Sequence, residues 1–415
     1  MINTIDLFSG CGGMTDGFIQ EGHYKTLACV EWEKPMCDTL ANRLHTRWNY
    51  RNVEEMVIQF DIQRTEELFS GFDDPQYGKN KGLDNLIQGR KIDMIIGGPP
   101  CQAYSIAGRI RDADGMQNDY RNYLFESYIK VVNHYKPDYF VFENVVGLLT
   151  AAPDGYPIKY KIYQAFKDAG YRVISDFKDA MFDVADFGVP QHRKRLIILG
   201  IRESTFNTPN TTEDVCQNML NDFYTLILPK YKVKQWKTVH EAISDLPKLY
   251  PLDKIVKGYK IKYSHGPIES QGFLNHTPRY NNPRDIKVFR LLAEDIKSGR
   301  CEYTSADKLK ELYTKITGKN SNIHKYYVLR DDQPSNTIPA HLYKDGMRHI
   351  HPDPEQARSI TVREAARLQS FADDFEFLGA MSYQYKMIGN AVPTLFANVI
   401  AKALYKLISK YSINK

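Results

Sequence analysis

Cys101 stands in the run Gly97-Gly98-Pro99-Pro100-Cys101-Gln102, directly after the apolar stretch Met94 to Ile96. A thiol at the end of a strand, on glycines and prolines that form no regular element to bury it, reads as a nucleophile rather than as packing. Glu143-Asn144 closes the next apolar stretch, Tyr139 to Phe142, and parallel neighbours would bring that acid beside the thiol. Gln191-His192-Arg193-Lys194-Arg195 precedes a further apolar stretch and supplies fixed positive charge at the same rim. Open α/β sheets bind ligands at the carboxyl ends of their strands, which is where all three groups fall.

A second set of residues points to a bound nucleoside. Asp6-Leu7-Phe8-Ser9-Gly10-Cys11-Gly12-Gly13 places glycines where a strand meets a helix, so backbone amides can approach a ligand at the positive end of a helix dipole. The dinucleotide pattern G-x-G-x-x-G fails, because Thr15 stands at its last position, and hydride transfer loses its main support. Some twenty residues on, Val30-Glu31-Trp32 ends a second strand with a carboxylate suited to ribose hydroxyls and an indole suited to a purine face. Asp61, following Phe60, stands where a third strand would end and could accept from an adenine amino group. Together these spacings favour an adenosine-bearing cofactor.

The elements that must position these groups follow from the apolar pattern. Short runs at Thr4–Phe8, Leu27–Val30, Met94–Ile96, Tyr139–Phe142 and Leu196–Leu199 alternate with helical periodicity such as Met14–Glu21, Tyr120–His134 and Tyr160–Ala169. That alternation predicts a doubly wound α/β sheet. Beyond Gly200 the pattern becomes irregular, rich in tyrosine, lysine and turn-forming pairs such as Asn281-Asn282-Pro283, and a second domain is expected there. Helical periodicity returns at Val362–Phe371 and Leu395–Leu407.

Composition narrows the classes further. With 415 residues, 42% hydrophobic and 25% charged, the chain is ordinary globular stock. Neither a secretory signal nor an apolar run of membrane-spanning length is expected. Six scattered cysteines without a C-x-x-C pair argue for free thiols and against a disulfide framework or zinc site. The net charge of +5 is uneven: residues 201–360 hold 25 Lys and Arg against 19 Asp and Glu, so a polyanion would prefer that segment.

The blocks DLFSGCGG, GGPPCQAYS, ENVVGLL, QHRKRLIILG, REAARLQSF and GNAVPTLFANVI stand in the order of DNA (cytosine-5)-methyltransferases of the bacterial restriction-modification type, and from Asp6 to Ile400 the chain resembles that family. The resemblance implies a Rossmann-like S-adenosylmethionine-dependent methyltransferase domain over 1–200, completed by 386–415. A smaller, irregular target-recognition domain would occupy 201–360, with 361–385 as the return segment. It implies Cys101 as nucleophile, Glu143 engaging N3 of cytosine, Arg195 contacting the base carbonyl and Asn144 bracing the site, with Arg193 counted among the catalytic residues. For S-adenosylmethionine, released as S-adenosylhomocysteine, it implies Phe8, Ser9, Gly10, Gly12, Gly13, Glu31, Trp32, Asp61, Ile62, Pro100, Leu124, Asn390 and Ala391, with no metal.

The implied partner is double-stranded DNA, met by a cytoplasmic bacterial monomer that pairs genetically with a restriction endonuclease. The target cytosine would swing out of the duplex. The loop from Gln102 to Tyr123, with Gly108 and Gly115 as hinges and Arg109, Arg111 and Arg121 as phosphate partners, would close over the DNA. Alanine at position 372, in Gln369-Ser370-Phe371-Ala372-Asp373, departs from the family's usual proline and touches packing only. Three alternatives stand beside this reading: an RNA (tRNA) cytosine-5 methyltransferase on the same fold, whose Cys-Phe-Thr tripeptide is absent here; a catalytically dead DNA reader, against which Cys101, Glu143 and Arg195 speak; and an enzyme methylating adenine N6 or cytosine N4, which would need a D/N-P-P-Y/F/W strand end where this chain reads Gly98-Pro99-Pro100-Cys101.

Overall fold

The computed structural model describes residues 1–100, 124–153, 155–206, 214–258, 262–267, 272–320, 326–344 and 346–412. Cys101 and the Gln102–Tyr123 loop lie outside the described residues. The described chain divides into two compact units: Met1–Phe187, Arg193–Lys234 and Val392–Lys415 form the first, Gly188–His192 and Gln235–Ala391 the second. Residues 201–234, grouped by the sequence reading with the segment that follows, thus belong to the first unit.

The first unit is built on one sheet. Strands β1 (Ile2–Leu7), β2 (Tyr24–Glu31), β3 (Val57–Gln59), β4 (Met94–Gly97), β5 (Tyr139–Val145), β6 (Tyr171–Arg172), β7 (Met181–Asp183) and β8 (Lys194–Arg202) lie in the order β3-β2-β1-β4-β5-β8-β6, with β7 also paired to β8. The pairings from β3 through β5 are parallel, and β8 runs antiparallel to β5. Both faces of the sheet are covered, so Ile5, Leu7, Ala28, Val30, Ile95, Ile96, Phe140 to Phe142 and Leu196 to Leu199 are all buried. This is why the strands read as unbroken apolar runs rather than alternating ones.

Helices α1 (Gly13–Glu21), α2 (Lys34–Thr46), α3 (Leu124–Tyr135) and α4 (Ile158–Asp168) connect the strands, and helix Thr394–Ser412 packs against α1. Their approach is close: a Cβ on Gly17 would lie 2.5 Å from that of Ala397 and 2.6 Å from the Thr394 carbonyl. The Asn398 side chain donates to the Gly17 carbonyl across the same contact. By length and composition Met381–Ser412 could cross a membrane, but the stretch is mostly buried, with Phe396, Ile400, Leu404 and Leu407 in the core.

The second unit holds a two-stranded ribbon, β9 (Tyr250–Lys257) and β10 (Lys262–Gly266), a short helix Val239–Ile243, and the longer helices α5 (Pro283–Lys297), α6 (Ala306–Thr317), α7 (Val362–Leu368) and α8 (Met381–Asn390). Val288, Phe289, Leu292, Leu309, Leu312, Tyr326, Val328 and Ile350 make a small apolar core. Asn282-Pro283, expected as a turn, starts α5: the Asn282 side chain accepts from the Asp285 amide at 2.8 Å, and proline occupies the first turn, where its missing N–H costs nothing.

Candidate active site

The polar groups singled out in the first unit gather at the carboxyl edge of β1, β2, β4 and β5. Strand β1 ends at Leu7, and Phe8 then adopts a left-handed backbone with φ of 57°, followed by Gly10 at 55° and Gly12 at 90°. A bulky residue held there marks a turn that the surroundings impose. Beneath the turn the buried Asp6 carboxylate accepts from the Thr15 hydroxyl at 2.5 Å, tying β1 to the first turn of α1. Burial, with the Glu31 charge adding, pushes the Asp6 carboxyl up to about 7 against a smaller opposing effect of Thr15.

Glu31 links this turn to β2. One carboxylate oxygen accepts from the Gly10 amide at 2.9 Å, the other from the amides of Trp32 and Glu33, each at 2.9 Å. Burial raises the Glu31 carboxyl, and the Glu33 and Gly10 amides oppose the rise. Ser9 lies buried with its amide on the Val30 carbonyl, Trp32 is 48% exposed, and Asp61 follows β3 with its carboxylate accepting from the Gln63 amide. Ile62 is buried beside it.

These residues fit an adenosine-bearing cofactor. A carboxylate has about four lone-pair sites, and Glu31 uses three for backbone amides, which fix its direction and leave capacity for a hydroxyl. The half-exposed Trp32 offers a ring face, and the space where a Gly10 Cβ would stand is open.

The second cluster sits one and two strands away. Gly97 pairs with Phe142, so the chain leaving β4 passes beside the end of β5. Gly97 has no room for a side chain, since its Cβ would lie 2.4 Å from the Leu7 carbonyl. A Cβ on Gly98 would meet Glu143 Oε2 at 2.5 Å, so the carboxylate rests directly on that backbone. The other oxygen, Oε1, accepts from Arg195 Nε at 2.8 Å, and both side chains are only 12% exposed. The antiparallel course of β8 accomplishes this: its first residues, paired with Val145 and Asn144, stand at the edge where β5 ends.

Asn144 is nearly fully buried, donates to the Pro99 carbonyl at 3.3 Å and accepts from the Val145 amide. It therefore ties the peptide two residues ahead of Cys101 to β5. Arg193 is buried too; desolvation and then the Arg195 charge lower its proton affinity well below the ordinary guanidinium range. Desolvation also lowers that of Arg195, against the pull of Glu143. Leu124 opens α3 and is buried, and Pro100 is the last described residue before the cysteine. Asn390 ends α8 and with Ala391 belongs to the second unit.

Several organising residues escaped the sequence reading. Tyr128 is fully buried, and its hydroxyl lies within hydrogen-bonding distance of the carbonyls of Ile95 and Val141, on β4 and β5. In the second unit Arg358 forms a buried ion pair with Glu364 at 2.6 Å, and Glu364 also caps α7 through the Thr361 amide. Arg363 donates to the carbonyls of Leu274, Ala372 and Phe375, and Gln191 bonds Gln369 and the Ile338 amide. The places of Arg363, Glu364 and Gln369 in REAARLQSF and of Gln191 in QHRKR were the available signal for those residues, whereas Tyr128 and Arg358 lie in neither block. Among the described residues no group of three or more His, Cys, Asp or Glu could hold a metal ion.

The family profile described as C-5 cytosine-specific DNA methylase matches residues 2–406. The chain is 33% identical to the Type II methyltransferase M.Bpa9945I of Bacillus paralicheniformis, covering 98% of this chain and 99% of that protein. It is 32% identical to the Type II methyltransferase M1.HphI of Haemophilus parahaemolyticus, covering 97% and 86%. Its fold is similar to the crystal structure of the S. pombe Dnmt2 methyltransferase, with a TM-score of 0.54 at 13% identity and coverage of 99% and 100%. With its α/β sheet, its strand-end carboxylates and a match along nearly its whole length, the chain belongs to the C-5 cytosine-specific DNA methylase family.

Proposed function

We propose that this protein methylates C5 of one cytosine within a specific double-stranded DNA sequence, using S-adenosylmethionine and a covalent bond from Cys101 to C6. The observation that carries the reading is the Glu143–Arg195 pair at 2.8 Å, seated on Gly98 three residues before the cysteine. Cytosine C5 is a weak nucleophile, and addition of a thiolate at C6 pushes electron density onto it. Glu143 donates a hydrogen bond or proton from Oε2 to N3 and so stabilises the charge arriving there, while Arg195 holds Glu143 in place and meets the base carbonyl. Asn144 holds the Pro99 peptide and so the start of the nucleophile's segment. Once C5 carries its new substituent, the C5 proton leaves to a base and the thiolate departs, restoring the ring.

When bound, S-adenosylmethionine supplies an electrophilic methyl group. Glu31 would hold its ribose, Trp32 would cover its purine, Asp61 would take the adenine amino group, and the Phe8–Gly13 turn would receive its polar end. Phe8, Ile62, Pro100, Leu124, Asn390 and Ala391 complete the proposed contacts. A stacked cytosine is out of reach of a thiol at a sheet edge, so the base swings out, at a cost of roughly a few kcal/mol. We assign the protein to protection of host DNA as a cytoplasmic monomer, alongside an endonuclease with which it forms no stable complex.

The test is covalent capture. Duplex DNA in which 5-fluorocytosine replaces cytosine, with S-adenosylmethionine, is expected to leave a denaturation-resistant adduct on wild type and none on Cys101→Ser, with cofactor affinity equal in both. An adduct on the serine variant, or none on an active wild type, refutes the covalent scheme.

A further inference from the structure

The ribbon β9–β10 of the second unit has an anchored foot and, among the described residues, a bare tip formed by Asp253–Lys257 and Lys262. At the foot, Ser264, His265 and Gly266 are buried, the Ser264 hydroxyl accepts from the Asn281 amide at 2.9 Å, and it hydrogen-bonds His265 Nδ1 at 2.9 Å. The residue preceding β9, Leu249, donates its amide to Gln356, which also accepts from Arg358 of the buried Arg358–Glu364 pair. β9 therefore starts, and β10 ends, among buried and hydrogen-bonded groups of the unit.

Away from the foot the pattern changes. Successive side chains of a strand point to opposite faces, so a strand lying on a core alternates between buried and exposed. Asp253, Lys254, Ile255, Val256 and Lys257 are instead exposed in succession, so neither face of this end of β9 rests on the protein. Ile255 and Val256 are each 42% exposed, and Lys262 across the ribbon is exposed as well. Between the pairs Pro251–His265 and Val256–Tyr263 the register shifts, which detaches the tip from the regular ladder of the foot. Among the described residues the side chains of Lys254, Lys257 and Lys262 make no hydrogen bond or ion pair.

An isolated two-stranded ribbon is marginal in water, and two bare β-branched side chains add to its cost. Its charge and shape match one partner. Three unpaired lysines against one aspartate suit a polyanion, and the major groove of duplex DNA, about 12 Å wide, admits a two-stranded ribbon. Ile255 and Val256 then provide apolar contact for thymine methyl groups on either face of the strand.

We infer that the tip of this ribbon enters a DNA groove, with Lys254, Lys257 and Lys262 on phosphates and Ile255 and Val256 choosing the base sequence. The inference rests on the DNA-methylating reading above and assigns its sequence choice to named side chains. Phosphate contacts set affinity without regard to sequence, whereas base contacts specify, so the two groups predict different phenotypes.

The experiment compares wild type, the triple variant Lys254→Ala/Lys257→Ala/Lys262→Ala, the double variant Ile255→Ala/Val256→Ala and the near-isosteric Val256→Thr. Each is expressed in a host without cytosine methylation and read by base-resolution sequencing, then titrated with the duplex so identified over a range of salt. The triple variant is expected to keep the wild-type motif, bind more weakly, and lower the salt slope by about 0.9 per lysine lost. The double variant and Val256→Thr are expected to relax or shift the motif, losing roughly 10- to 100-fold in discrimination at one position, with S-adenosylmethionine affinity unchanged.

Wild-type motif, affinity and salt slope in all variants would overturn the inference, as would variants whose only change is in self-association measured by sedimentation without DNA. A folded wild type that marks no cytosine in any DNA would instead overturn the functional reading, an outcome no ribbon variant can imitate.

Discussion

Gly98→Ala places one methyl group against the proposed catalytic acid, and its effect can be worked out in advance. The new Cβ would stand 2.5 Å from Glu143 Oε2. Ordinary van der Waals separation starts near 3.4 Å, so the carboxylate must retreat by roughly 1 Å. A free surface glutamate would do this at little cost, but this one is 12% exposed and fixed by Arg195 at 2.8 Å. The retreat stretches a charge-assisted hydrogen bond worth about 1.5–3 kcal/mol and moves Oε2 from its place. A displacement of about 1 Å in a positioned group costs on the order of 100-fold in rate. We therefore expect kcat to fall about 100-fold, with S-adenosylmethionine affinity within twofold of wild type, since the Glu31 cluster lies on other strands. The assay is transfer of labelled methyl groups to duplex DNA under single turnover, with cofactor binding by calorimetry and a melting curve to certify folding. A folded variant that binds cofactor and keeps kcat within threefold of wild type would refute the assignment of Glu143.

Further perturbations test the supports around the site. Glu31→Gln replaces one acceptor oxygen by a donor facing backbone N–H groups, so S-adenosylmethionine affinity should fall about 10- to 100-fold by calorimetry; a Kd within twofold would sink the cofactor assignment. Because Asp6 is raised from its ordinary 3.8 to about 7, the folded state holds its proton where the unfolded chain has lost it. That contribution is fully present below about pH 4 and is lost as pH rises towards 7. Asp6→Asn, which can still accept from Thr15, should gain in Tm relative to wild type across that window, and parallel curves would contradict it. Glu364 is held well below the usual carboxylate range, burial working against this and the Arg358 charge prevailing. Arg358→Met leaves that buried carboxylate without its partner and should cost about 3–5 kcal/mol in urea unfolding; a loss under about 1 kcal/mol would show the pair to be dispensable.

How far these features could be read beforehand depends on which physics wrote them. The strands Met94–Gly97 and Tyr139–Val145 are apolar because both sheet faces are covered, and that pattern survives in the sequence whatever the chain does next. The strand-end positions of Glu31 and Glu143 follow from it. The direction of Lys194–Arg202 does not, because antiparallel and parallel strands buried on both faces share one composition; yet that direction brings Arg195 to Glu143. Residues 215–228 were legible in principle: Cys216, Met219, Leu220, Phe223, Ile227 and Leu228 are all buried, and the Tyr224 hydroxyl bonds the backbone of Ile197 and Leu199. Tyrosines and lysines on either side masked that apolar run. Least legible were Arg358, Glu364 and Arg363, since a charged residue reads as solvated until its buried partner is known.

The route of the chain between its two units bears on how such a protein can be taken apart. Five residues, Gly188–His192, belong to the second unit although they are reached from Phe187 and left at Arg193, both of the first. Gln191 is not a passenger there: it is fully buried, donates to Gln369 and accepts from Ile338. A gene fragment spanning 235–391 alone would consequently encode an unfinished object, with a hole where an amide side chain belongs and a backbone N–H left dry. Anyone transplanting that segment into a relative must carry the pentapeptide too, or choose a recipient whose own glutamine meets the same two partners.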